Sequence, residues 1–289
     1  MNGVWTVGID GSPESIAALR WTASLARDTG ARVEPLLAWE VPLPIWATSG
    51  RRSIEFDHAG LGAEAAVVAD RCVNECADLI DVIDEPVVVE GHPSRVLLEW
   101  SESGRRIVVG RRGVGALRHR LLGSTSNYLA THAVGPVIVV PERADPPADH
   151  VRRILVGVDG SDHSVAALEW AMHAAPSEAV IEAVCAVDVV PWLSPELVYE
   201  RHRDEVDAAT GRVTAAVDRV DPGETVVRSI ALHGPQQALS ERFSDADLVV
   251  VGPRGRGAIA RTVLGSITMW LLNESPCPVA VVPSGWHTR

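Results

Sequence analysis

The sequence predicts an α/β protein made of two tandem Rossmann-like domains, each a five-stranded parallel sheet with helices on both faces. Three observations carry this. The chain has 289 residues, a length that suits two domains of ordinary size better than one. Each half alternates β-branched runs with helix-period segments in the order β-α-β-α-β-α-β-α-β, the signature of a parallel sheet joined by right-handed crossovers. The landmarks also recur. Val7-Gly8-Ile9-Asp10-Gly11-Ser12 is matched by Val156-Gly157-Val158-Asp159-Gly160-Ser161, and the Pro-bounded valine run 136–141 by 278–283.

Taken in order, each half opens on a strand and enters a helix containing a Trp, at 15–27 with Trp21 and at 164–174 with Trp170. Ser12 and Ser161 suit the N-cap, and Pro13 the first helical position. A second strand follows at 33–39 and 180–187, then a loop bearing Pro and Trp (Pro42, Pro44 and Trp46; Pro191, Trp192 and Pro195). Alanine-rich amphipathic stretches predict long helices at 61–80 and 196–220. Third strands at 87–89 and 226–228 lead through Gly91-His92-Pro93 and Gly234-Pro235 into a third helix. The fourth strand runs into a glycine loop, Ser124 or Ser266 caps the last helix, and a final strand closes the half. The domains are expected at 1–142 and 151–289, with a Pro-, Asp- and Ala-rich linker at 143–150. The first half is seven residues longer between Asp10 and Gly110 than the second between Asp159 and Gly252; the excess is placed around 43–59.

Composition removes several function classes. The net charge is -12, with 14 Arg against 19 acids in the first 148 residues and 12 against 19 in the rest. Non-specific binding to nucleic acid or an anionic membrane is therefore not expected. The chain has no Lys, which excludes a lysine nucleophile and the G-x-x-x-x-G-K-[ST] phosphate loop. Cys72, Cys76, Cys185 and Cys277 lack metal-ligand spacing and read as small buried hydrophobes. The N-terminus enters strand-like sequence at once, without the look of a leader, and no apolar run approaches the roughly 20 residues of a membrane helix. A cytoplasmic protein is expected.

The chemistry concentrates in a duplicated glycine spacing. Gly110-Arg111-Arg112-Gly113 is followed after nine residues by Gly123-Ser124; Gly252-Pro253-Arg254-Gly255 is followed after nine by Gly265-Ser266. Glycines after a parallel strand let backbone amides wrap an anion, and a helix N-terminus adds its dipole. In the first copy the candidates run from Gly110 through Val114 and Gly115 to Ala116, with Gly110, Gly113 and Gly115 allowing positive φ, and continue at Ser124 and Thr125. In the second they run from Gly252 through Arg256 and Gly257 to Ala258, continuing at Ser266, Ile267 and Thr268. The competing reading is that these glycines only make tight turns. Asp10 and Asp159 have three readings: a contact to adenine or ribose, a share in a Mg²⁺ site, or satisfaction of amides in the following turn. Arg105, Arg106, Arg111, Arg112, Arg118 and Arg120 crowd the first loop and Arg254, Arg256 and Arg261 the second, as phosphate partners or as a solvated rim. Of these, Arg111, Arg112 and Arg254 are the best phosphate-side candidates. Pro253 lacks the amide that Arg111 supplies, which predicts sites of unequal affinity.

Together these residues resemble the universal stress protein family in its tandem form. The G-x2-G-x9-G-[ST] signature is present in both halves, beside the Gly-[IV]-Asp-Gly-Ser start and the closing Pro-Val-x-Val-Val-Pro. The resemblance implies flavodoxin-like domains of strand order 3-2-1-4-5, which bring Asp10 and the Gly110 loop together at the switch point. It implies ATP, with or without Mg²⁺, with its triphosphate across the glycine loops. Gly8, Gly157, Ala38 and Val187 would line the adenine and ribose. It further implies that the halves pack through their final strands and that whole chains form a homodimer with an unidentified regulatory protein partner. Three functions stay open on the residues: an ATP-binding regulator of stress adaptation or growth that is not an enzyme, a slow ATPase or phosphoryl-transfer enzyme, and a partner-binding module indifferent to nucleotide. No Ser-His-Asp or H-E-x-x-H arrangement marks a catalytic residue.

Overall fold

The computed structural model describes residues 3–41, 57–103, 105–114, 122–142, 151–189, 202–221, 225–256 and 263–286. The first half contains β1 (Val4–Gly8), α1 (Pro13–Thr29), β2 (Arg32–Trp39), α2 (His58–Asn74), β3 (Val87–Glu90), α3 (Pro93–Glu102), β4 (Arg106–Gly110), α4 (Ser124–His132) and β5 (Val137–Val140). The second contains β6 (Arg153–Gly157), α5 (Asp162–Ala174), β7 (Val180–Ala186), α6 (Arg203–Val220), β8 (Val227–Ala231), α7 (Pro235–Ser240), β9 (Leu248–Val251), α8 (Ser266–Glu274) and β10 (Val279–Val281). The loops at 42–56, the linker at 143–150 and the start of the expected helix at 196–201 lie outside the described residues.

The strands form one ten-stranded sheet in the order β3-β2-β1-β4-β5-β10-β9-β6-β7-β8. Each half has the 3-2-1-4-5 order and is parallel throughout; only the seam, β5 against β10, is antiparallel, with Val139 opposite Val279 and Val137 opposite Val281. Strand alternation explains why this seam closes. Ile138, Val140 and Ala280 point into the core under α1, α2, α5 and α6; Val137, Val139, Val279 and Val281 point into the core under α3, α4, α7 and α8. All seven are at most 2% exposed, and both cores are continuous from one half to the other. Left unpaired, these two strands would expose a ladder of backbone donors and acceptors between two apolar faces.

Local signals place most helix starts. The Ser12 and Ser161 hydroxyls accept from Ser15 N and Ser164 N, each at 3.2 Å, and Pro13 opens α1. Two expectations need correction. The single helix expected at 61–80 ends at Asn74 and is followed by a 3₁₀ turn, Ala77–Leu79. Arg20 and Arg27 of α1 grip Asp78 and Asp81, and the chain turns so that Ile83 bridges to Val33 of β2. Ser124 and Ser266 are not caps but the first helical residues; Gly123 and Gly265 stand at the N-cap, where no side chain caps the turn. Both helix starts are therefore left with amides that have no intrahelical acceptor.

Candidate functional site

Each glycine loop meets its Asp at the carboxyl ends of the first and fourth strands of its half, where the strand order reverses. In the first half, Asp10 Oδ1 accepts from Ser12 N at 3.0 Å and Oδ2 from Val114 N at 2.8 Å. In the second, Asp159 Oδ1 accepts from Ser161 N at 3.0 Å and Ser161 Oγ at 2.6 Å, and Oδ2 from Arg256 N at 2.8 Å. Each carboxylate thus braces the helix-entry turn to the glycine loop, which corresponds to the amide-satisfying reading of these residues. Burial works to raise the Asp159 pKa, but hydrogen bonds from Ser161, Arg256 and Ser164 outweigh it and hold the group below the usual carboxylate value.

The described loop glycines, Gly110, Gly113, Gly252 and Gly255, are required for space rather than for the positive φ that glycine allows. Among the described residues, positive φ occurs at Gly11, Gly30, Gly91 and Gly160. A Cβ at Gly113 would lie 2.3 Å from Asp10 Oδ2, and one at Gly255 would lie 2.5 Å from Asp159 Oδ2. At Gly110 it would meet the Glu14 backbone at 2.7 Å, and at Gly252 the His163 Cβ at 2.5 Å. Gly8 and Gly157 are also close-packed, against Leu97 and Val251. Gly115, Ala116, Gly257, Ala258, Arg118, Arg120 and Arg261 fall outside the described residues.

The second half encloses a cavity of about 740 Å³. Of the expected residues, Gly157, Asp159, Gly252, Arg254, Gly255, Arg256, Gly265, Ser266, Ile267 and Thr268 line it. Its charged end combines Arg254, Arg256 and the uncapped start of α8. Its apolar wall comes from Val184, Ala186, Ala238, Leu239 and Val251. The Thr268 hydroxyl is engaged, donating to Gly252 O at 2.8 Å, as Ser126 donates to Gly110 O at 2.7 Å in the first half. Sequence reasoning missed Arg212, which reaches the cavity from α6 with its guanidinium 3.8 Å from Cys185 Sγ. Its stem packs on Gly160, and nothing local in the sequence marks it. The Gly234-Pro235 turn was the available signal for the α7 wall.

Several expected residues are engaged elsewhere. The Val187 side chain packs in the core on the opposite face of the sheet; strand alternation gives the cavity position to Ala186, whose counterpart in the first half is Ala38. The Arg111 guanidinium leaves its own loop and donates to the carbonyls of Asn273, at 2.9 Å, and Ser275 at the end of α8. Burial and then the neighbouring Arg112 lower its pKa, yet an arginine stays cationic. The Arg111 amide donates to Val140 O at 2.8 Å, so Pro253 removes no phosphate donor, contrary to expectation. Arg112 pairs with the buried Glu14 at 2.9 Å. Arg105 and Arg106 lie at the far end of β4, roughly 13 Å from the loop by strand rise, where they stack over Trp100 and Trp5. They do not belong to the site.

The halves also differ where His163 stands in the place of Glu14. Burial first, then Arg254, lowers the His163 pKa, and its Nδ1 accepts from Ser284 N at 2.9 Å, as a neutral ring can. Because the folded state holds the ring neutral, stability from this group is complete above the unfolded value of about 6.5 and is lost as pH falls toward the lower folded value. Urea titrations between pH 7.5 and 5 should therefore show a loss that His163→Gln reduces; an equal pH slope in the variant would refute the assignment.

Among the described residues, no group of three or more His, Cys, Asp or Glu is placed to hold a metal, and no helix is long and apolar enough to cross a membrane. All four cysteines are free and buried; burial raises Cys76 and Cys277 to about 11.

A doubled 3-2-1-4-5 sheet with a glycine loop at each switch point defines a tandem α/β protein. The family model described as the universal stress protein family matches residues 1–141 and 150–283, and the chain belongs to that family. It is 31% identical over 287 residues to a universal stress protein of Mycolicibacterium smegmatis, covering 96% of this chain and 95% of the relative. A Mycobacterium tuberculosis universal stress protein is 30% identical over 300 residues, covering 95% and 93%. The crystal structure of a universal stress protein from Archaeoglobus fulgidus superposes with a TM-score of 0.68 at 20% identity, covering 97% of this chain and 98% of that one, and shows the shared fold.

Proposed function

We propose that this chain is an ATP-binding regulator, with its principal nucleotide site in the second-half cavity and a second site at the first glycine loop. The observation that carries the reading is the cavity itself. Its volume of about 740 Å³ lies in the usual range for small-molecule sites, and it sets an apolar wall against arginines and an uncapped helix start. The wall suits a base; the other end suits a polyphosphate. The residues therefore fit an adenine nucleotide. Asp159 is the one carboxylate among the described cavity-lining residues, and both of its oxygens already accept hydrogen bonds. A Mg²⁺ ion would arrive with the triphosphate and draw its ligands from phosphate and water.

We read the site as one for binding rather than hydrolysis, because Asp159 is committed to holding the loop. A regulatory role in stress adaptation, a cytoplasmic setting, a homodimer, an unidentified protein partner and the domain division at 143–150 belong to the same proposal and rest on family membership. Mass spectrometry of ligand released from the purified protein, followed by calorimetry with ATP, tests it. Co-purified adenine nucleotide or measurable ATP binding is expected; absence of both would sink the nucleotide reading. Hydrolysis that Asp159→Asn abolishes while binding survives would favour an enzyme instead.

A further inference from the structure

α8 begins at one site and ends at the other. Its first turn, Ser266 to Thr268, lines the second-half cavity. Its far end receives the first glycine loop through two separate groups. The Arg111 guanidinium donates to the carbonyls of Asn273 and Ser275, and Leu122 N donates to Asn273 Oδ1 at 3.0 Å. Asn273 Nδ2 bonds back to Met269 O at 2.7 Å, which fixes the side chain with its oxygen toward Leu122. Leu122 immediately precedes Gly123, the N-cap of α4, and Gly123 N donates to Arg111 O at 2.9 Å. The loop and the start of α4 are therefore both tied to the end of α8.

The pseudo-symmetric counterpart cannot form in the same way. Pro253 stands where Arg111 does, without a guanidinium. Thr131 stands where Asn273 does, and its hydroxyl donates to its own helix, at Asn127 O. The link belongs to one helix and not to the pair.

We propose that α8 couples the two sites: a nucleotide seated on its first turn stabilises the first glycine loop through Asn273 and Arg111. The inference rests on the nucleotide reading and deepens it by naming how one site regulates the other. A nine-residue helix spans only about 13 Å, and its intrahelical hydrogen bonds run without a break from one end to the other. Its C-terminal carbonyls are held by a charge-assisted donor, so a shift at one end cannot be absorbed between the ends without breaking those bonds. Coupling of this kind is reciprocal and typically changes affinity about five-fold or more.

The test uses the full chain carrying Gly113→Ala, which closes the first loop to ligand by placing a Cβ against Asp10. ATP is titrated while amide hydrogen exchange is followed in peptides covering 122–132. Saturation of the second site should slow exchange there about five-fold. Adding Asn273→Ala should abolish that protection while the ATP affinity of the second site stays within about two-fold. Arg111→Met, read only by exchange at 122–132, should act in the same direction and provides an independent variant. ATP binding without any slowing at 122–132, or slowing that survives both Asn273→Ala and Arg111→Met, overturns the coupling and leaves the nucleotide reading standing. Failure of the wild-type chain to bind ATP overturns both.

Discussion

Gly255→Ala should weaken ATP binding at the second site by roughly 10- to 100-fold while leaving the fold intact. The new Cβ would stand 2.5 Å from Asp159 Oδ2, inside any permissible contact. The obstacle is not the end of a free side chain. Asp159 is held by Ser161 on one oxygen and accepts from Arg256 N on the other. Relief requires the carboxylate to move, which breaks its bond to Arg256, or the loop to lift, which misplaces the amides around Arg254. Strain of this kind typically costs about 1–3 kcal/mol, and each 1.4 kcal/mol is a factor of ten in affinity. Calorimetry on the variant measures it, with circular dichroism to confirm folding. Unchanged affinity would mean that the loop does not grip the ligand. The first half is built alike, since a Cβ at Gly113 would lie 2.3 Å from Asp10 Oδ2, but there Glu14 already occupies Arg112.

Ile138→Asp should destabilise both halves together, by more than about 3 kcal/mol. Ile138 is 1% exposed and sits on β5 directly opposite Ala280 of β10. An aspartate there would be ionised among apolar neighbours or would have to take up a proton; either is costly without a partner, and the deletion of a buried branched side chain adds to the loss. Because the core under α1 and α5 runs across the seam, the loss should not stay in the first half. Urea unfolding followed separately through tryptophan fluorescence and far-ultraviolet dichroism should show one transition at lower denaturant. Two transitions, with the second at its wild-type midpoint, would show that the halves are energetically independent.

Much of the fold was legible because its signals are local. Ser12 and Ser161 cap the next turn, Pro13 presets a helical φ, and β-branched runs between glycines make buried strands. The helix expected at 61–80 ran too long because its end is set by α1: the arginines that stop it lie more than fifty residues away in sequence. The site was legible in outline for a related reason. Duplicated spacing exposed the paired glycine loops and aspartates, since a repeat is visible in sequence whatever its geometry.

What sequence by itself determined is the order of the elements, the duplication and the meeting of each Asp with its glycine loop. The first two follow from chain-local propensity and repeated spacing; the third follows from the strand order that the family resemblance implies. The family resemblance implied that the final strands meet; tertiary structure alone decided the antiparallel sense and register of that seam and what each side chain does there. It closed β5 on β10, because two apolar strand faces with unpaired backbone are satisfied only by each other. It sent Arg111 to α8, brought Arg212 to the second cavity from α6 and gave Glu14 to Arg112. A long cationic side chain goes to the acceptors within its reach, and those are defined only once the helices have docked.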